Sequence, residues 1–180
     1  IKLEVTPDLP KELNATLRPY QVDGFHFLAY LSVNHFGGIL ADDMGLGKTV
    51  QALGFVLWLR SQAIEALQGA KGHPAPTLVV CPKSVIDVWA SEAEKFAPSL
   101  IVKVLRSRDD LDLDELLNGV GMLVLNYAQL RVCGDELNKI RWLAVILDEG
   151  QQIKNPDSKA AKSARDLDAP RKSRGAWEAR

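Results

Sequence analysis

The chain has 180 residues, a formal net charge of −1, 47% apolar residues and 25% charged residues. That length suits one domain with a real core, and the composition is ordinary for a globular chain. The near-neutral balance excludes a whole-domain positive field, so any contact with nucleic acid must come from a local patch or from parts of a longer protein.

In chain order, residues 18–32 are predicted helical, with Pro19 tolerated in the first turn and Phe25, Leu28 and Leu31 at core-facing spacing. "GGILA" at 37–41 reads as a strand, 48–67 as a long helix and "GAKGHPAP" as a loop. "TLVVC" at 77–81 is β-rich, and 85–96 is helical. Ser84 is the expected N-cap of that helix, with Asp87 completing a capping-box pattern. "IVKVL" at 101–105 is a strand, followed by an acidic stretch and a short helix ending near Asn118-Gly119. Then come "GMLVLN", a helix over 127–139, and "WLAVILDE". Continuous apolar runs separated by helices indicate a parallel sheet covered on both faces. The expected fold is therefore a doubly wound α/β domain, whose ligands sit beyond the carboxyl ends of the strands.

No internal repeat is present. Cys81 and Cys133 have neither metal-ligand spacing nor the density of a disulfide scaffold, so a reducing, intracellular setting is expected. Apolar runs such as "WLAVIL" at 142–147 fall far short of the roughly 18 residues that span a bilayer. No signal peptide is read at the N-terminus.

The segment Asp42-Asp43-Met44-Gly45-Leu46-Gly47-Lys48-Thr49 lies between the expected strand at 37–41 and the long helix. Gly47, Lys48 and Thr49 fit the phosphate-loop pattern G-x-x-x-x-G-K-[ST], although Asp42 stands where the opening glycine is usual. Gly45 and Gly47 let backbone amides curl round a phosphate without Cβ interference, and the helix N-terminus adds its positive end. Lys48 would reach the β- and γ-phosphates, and the Thr49 hydroxyl would bind Mg²⁺. An ordinary glycine turn with Lys48 and Thr49 exposed is the competing explanation.

A phosphate cradle requires an acid at the end of a buried strand, and "LAVILDEGQ" supplies Asp148 and Glu149. Asp148 would hold Mg²⁺, through water, and Glu149 would orient or deprotonate the attacking water. The pairing of two such motifs decides for phosphate over the glycine turn. Upstream, "LRPYQ" at 17–21 places Gln21, whose amide can pair with adenine N6 and N7. Standing alone, Gln21 is better explained as a polar residue on an amphipathic helix.

The run "LRPYQVDGFHFL … GGILADDMGLGKTVQAL … LVVCPKSVIDVWASEAEKF … LVLNYAQL … LAVILDEGQQIKNPDSKAAK" resembles the Swi/Snf-type ATPases of helicase superfamily two, over roughly residues 15–168. In that family the opening aspartate at position 42 is usual. The resemblance implies a first RecA-like lobe, over 1–168, of a DNA-stimulated ATPase that moves on duplex DNA. It implies that Gln21 contacts adenine and that Met44, Gly45, Leu46, Gly47, Lys48, Thr49 and Val50 lie around the nucleotide. Asp148 and Glu149 belong to the second motif, with ATP and Mg²⁺ as cofactors. Lys83, Ser84, Asn126 and Tyr127 match segments along the DNA path. For Lys83 and Ser84 a phosphate contact at a helix N-terminus is physically reasonable, while solvation of Lys83 and capping by Ser84 are the plainer alternatives. The implied partners are duplex DNA and proteins bound to it, such as polymerase. The implied setting is the cytoplasm, or the nucleoid in a bacterium, and "QQIKNP" is closer to bacterial members.

Two departures stand out. The second motif reads "DEGQ", with Gly150 where alanine is usual, which puts in doubt how Gln151 couples to later motifs. After "SKAAKSARDLDAP" the family continues into a strand and a Thr-Gly-Thr-Pro turn, whereas this chain has "RKSRGAWEAR". Residues 169–180 are expected to be a disordered or non-native end. The second lobe, with its arginine fingers, is expected to lie outside the sequence. The isolated lobe should then bind MgATP weakly and turn over negligibly. The rival expectation is a degenerate, non-catalytic phosphate-loop module; a small-molecule kinase is a further one, against which "LRPYQ" with "DEGQ" speaks.

Overall fold

The computed structural model describes residues 1–36, 47–153, 155 and 157–167. The strand expected at 37–41, the loop residues Met44, Gly45 and Leu46, and the tail at 169–180 lie outside the described residues. Four parallel strands form the described sheet: β1 (Thr77–Cys81), β2 (Val102–Leu105), β3 (Met122–Asn126) and β4 (Ala144–Leu147), in the order β2-β3-β1-β4. Helices precede and connect them: α1 (Pro19–Val33), α2 (Lys48–Ala66), α3 (Ile86–Phe96), α4 (Leu113–Leu117), α5 (Tyr127–Val132), α6 (Gly134–Leu137) and α7 (Lys159–Asp166). Parallel neighbours cannot be joined by hairpins, so each strand-to-strand passage carries helix. β1 and β3 are buried at every position, as their unbroken apolar runs require.

The two faces of the sheet are covered by different helices. Along β1, Val79 and Cys81 join a core with Phe25, Leu28, Leu53, Leu59 and Trp89 from α1, α2 and α3. Leu78 and Val80 point the other way, into a core with Leu116, Leu130, Leu137, Trp142 and Leu167. This alternation is the period-two rule of a strand acting on a sheet buried on both sides. The α/β doubly wound reading therefore holds, and α1 follows it closely, with Phe25 and Leu28 buried and Leu31 half-buried. Among the described residues no helix is long and apolar enough to cross a membrane.

Two local expectations change. The helix expected over 127–139 is split at Cys133, which takes φ −100° and ψ 11° between α5 and α6. The split lets Gly134 approach α7 so closely that a Cβ there would stand 2.8 Å from Ser163 Oγ. Ser84 is not the cap of α3. Pro82 turns the chain out of β1 into a 3₁₀ turn over Lys83–Val85, closed by the Val85 amide on the Pro82 carbonyl at 3.1 Å, and α3 begins only at Ile86. Asp87, the other half of the expected capping box, pairs with Arg106 instead.

Candidate functional site

Parallel strands bring their carboxyl ends to one edge, and the register fixes which residues meet there. Cys81 is opposite Asn126, and Val80 is opposite Leu147. The residues that follow, Pro82-Lys83-Ser84, Tyr127 and Asp148-Glu149, therefore lie along the same edge. Lys48 and Thr49 open α2, a 19-residue helix whose N-terminal end carries positive potential.

Gly47 precedes that helix in a left-handed conformation, φ +75°. A Cβ on it would lie 2.4 Å from Gln21 Nε2, so the two motifs that the sequence separates are packed together. Gln21 is 9% exposed, and its Oε1 accepts the Arg18 amide at 2.8 Å, tying off the start of α1. In this arrangement the glutamine closes its own helix and lies against Gly47. Val50, one turn on, is buried in the first core.

Asp148 is held by several elements at once. Its amide donates to the Val80 carbonyl at 2.8 Å. Its Oδ2 accepts the Trp89 indole N–H at 2.9 Å, and its carbonyl accepts the Tyr127 hydroxyl at 2.6 Å. Burial pushes the Asp148 carboxyl above its ordinary pKa, and the Glu149 charge adds to this; the Trp89 hydrogen bond, the Glu149 amide and the Lys48 ammonium pull it down. Cys81, beside Asp148 in the sheet, has its thiol pushed up to about 12 by burial and by the Asp148 charge. Glu149 adopts φ +52°, a left-handed conformation that a non-glycine residue holds only when its surroundings enforce it.

The donor set at this edge suits a magnesium–triphosphate group. Hydroxyl and carboxylate oxygens are the hard ligands that Mg²⁺ takes, and a lysine at a helix N-terminus with a glycine that tolerates no side chain suits phosphate. Of the other candidates, Lys83 and Ser84 are exposed. Asn126 is 9% exposed and its Oδ1 accepts the Gln129 amide at 2.8 Å, capping α5. Tyr127 is 8% exposed with its hydroxyl on Asp148. Trp89 also belongs to this site, through its hydrogen bond to Asp148. Its signal in the sequence is an indole on the apolar stripe of α3 with Ile86 and Ala93, since a buried tryptophan N–H needs an acceptor.

The SNF2-related domain family matches residues 20–173. The TATA-binding protein-associated factor MOT1 of Saccharomyces cerevisiae is 37% identical over 166 residues, covering 89% of this chain and 9% of its own length. The putative ATP-dependent helicase/translocase YwqA of Bacillus subtilis is 32% identical over 175 residues, covering 92% and 18%. A solved structure, the Sulfolobus solfataricus SWI2/SNF2 ATPase core in complex with dsDNA, is 34% identical with a TM-score of 0.75, covering 91% of this chain and 32% of that one. The chain thus spans a small part of these relatives.

Proposed function

The chain belongs to the SNF2-related domain family, and on that premise we propose that it is the ATP-binding lobe of a DNA-dependent ATPase that moves on duplex DNA or remodels protein–DNA complexes. What supports the reading is the acid pair at the carboxyl edge of the sheet, the left-handed Gly47 packed on Gln21 at the start of α2, and the pull of the Lys48 charge on Asp148. Lys48 would bind the β- and γ-phosphates. The Thr49 hydroxyl and Asp148 would hold Mg²⁺. Glu149 would orient the attacking water and accept its proton on the carboxylate. When bound, Mg²⁺ supplies positive charge against the phosphate oxygens. Gln21, packed on Gly47, would meet the base beside the loop.

Duplex DNA comes to this chain from the solved relative. The exposed Lys83 and Ser84 at the start of the turn into α3 are the side chains offered to its phosphates. Asn126 and Tyr127 serve the lobe from inside, by capping α5 and holding Asp148. Retention of Lys48, Asp148 and Glu149 supports an ATPase over a degenerate binding module. The test is a fluorescent-nucleotide titration of the chain and its Lys48→Ala variant. Loss of binding in the variant is expected, and unchanged affinity removes the cradle assignment. Joined to its second lobe, the protein should hydrolyse ATP faster with duplex DNA than without; an unchanged rate refutes DNA dependence.

A further inference from the structure

Trp89 and Tyr127 have no part in binding nucleotide as assigned above, yet both end on Asp148. Trp89 is 1% exposed in the core between α3 and the sheet. A phenylalanine could fill much of that space, and a backbone carbonyl could satisfy an indole N–H. Using a buried carboxylate as acceptor instead carries a desolvation cost that packing alone does not require. Tyr127 opens α5 on the opposite side of the sheet, where its ring joins the second core. Its hydroxyl reaches the Asp148 carbonyl, the peptide that leads directly into the left-handed Glu149. With the Val80 carbonyl on the Asp148 amide, three elements grip one residue: β1 its N–H, α5 its C=O and α3 its carboxylate.

Resting on the reading of Asp148 as the acid of the Mg²⁺–nucleotide site, we propose that Trp89 and Tyr127 are positioning residues: Trp89 fixes the rotamer of the Asp148 carboxylate, and Tyr127 anchors the Asp148–Glu149 peptide so that Glu149 keeps its strained turn. Neither touches nucleotide. Outer partners of this kind orient a ligating carboxylate, and their removal weakens metal-dependent binding. The two hydrogen bonds come from opposite faces of the sheet, so a shift of either helix layer would be felt at the same acid.

The test is a fluorescent-ADP titration, with Mg²⁺ and with EDTA, of the wild-type chain, Trp89→Phe, Tyr127→Phe, Asp148→Asn, the Trp89→Phe/Asp148→Asn double variant and Lys48→Ala. Trp89→Phe should weaken Mg²⁺-dependent affinity about tenfold and leave affinity in EDTA unchanged, and Tyr127→Phe should act in the same direction. In the Asp148→Asn background Trp89→Phe should add nothing, whereas a general loosening of the core would persist there. Tyr127→Phe removes a single oxygen and carries the test if Trp89→Phe fails to fold. Wild-type affinity from Trp89→Phe or Tyr127→Phe, equal weakening in EDTA, or an undiminished effect in the Asp148→Asn background overturns the inference. If Lys48→Ala then still abolishes binding, the nucleotide reading stands without it. A wild-type chain that binds no nucleotide removes both.

Discussion

Replacing Gly47 with alanine tests the contact between the loop and α1. The new Cβ would sit at φ +75°, which costs an L-residue roughly 1–2 kcal/mol. It would also stand 2.4 Å from Gln21 Nε2, inside any tolerable carbon–nitrogen separation. The glutamine amide must then swing away, although its Oε1 holds the Arg18 amide at 2.8 Å. Losing that bond costs about 1 kcal/mol, so Gly47→Ala should lower stability by about 2–3 kcal/mol in all. In a Gln21→Ala background the collision is gone, and only the handedness cost of roughly 1–2 kcal/mol remains. The pair should therefore couple by about 1 kcal/mol. Urea denaturation of the wild type, both single variants and the double variant, followed by far-UV circular dichroism, measures this cycle. Strict additivity would refute the contact, and a Gly47→Ala chain as stable as wild type would refute the left-handed conformation.

Other expectations concern the frame around the site. Asn126→Ala removes the acceptor for the Gln129 amide and should cost about 1 kcal/mol in the same denaturation assay. Cys81, its thiol pushed up to about 12, should carry roughly one thiolate in ten thousand at pH 8, and Cys133 is also raised, mainly by burial. Neither should react with a disulfide reagent until the chain is unfolded; rapid labelling of the native protein would contradict their burial. Asp110 is held below its ordinary pKa chiefly by the Ser107 amide, with the Ser107 hydroxyl and the Arg106 amide assisting. Because the folded value is depressed, its contribution is present above the unfolded value and disappears as pH falls through the folded one. Asp110→Asn should flatten the loss of stability below about pH 4, and an unaltered acid limb would show that the turn does not use the charge.

Hydrophobic run length made the sheet legible: "TLVVC" and "MLVLN" could be buried strands and little else, and their parallel order followed from the helices between them. The acids after "AVIL" were legible for the same reason, since the end of a buried strand is where a doubly wound fold places its chemistry. What periodicity could not reveal were the partners. Ser84 looked like a cap because serine favours that position, but Pro82 had already committed the chain to a 3₁₀ turn. The helix expected over 127–139 was split where Gly134 meets Ser163, a contact with a helix far along the chain. Tyr127 was placed on a DNA path by resemblance, while its hydroxyl is engaged with the peptide after β4. Trp89 and Gln21 likewise owe their roles to long-range neighbours: an indole reads as core until its acceptor is known, and a glutamine reads as surface until a glycine packs on it.

The strand that carries the acids is synthesised last of the four, yet it pairs with the first. As the chain leaves the ribosome, β1, β2 and β3 can associate while the β4 side of β1 still waits for residues 144–147. Pairing across so long a stretch of sequence is slow, and an exposed row of strand amides recruits other chains. Translation that stops shortly before Ala144 should therefore yield an aggregating nascent polypeptide rather than a soluble but inactive lobe, and quality-control proteases would meet it through that open edge.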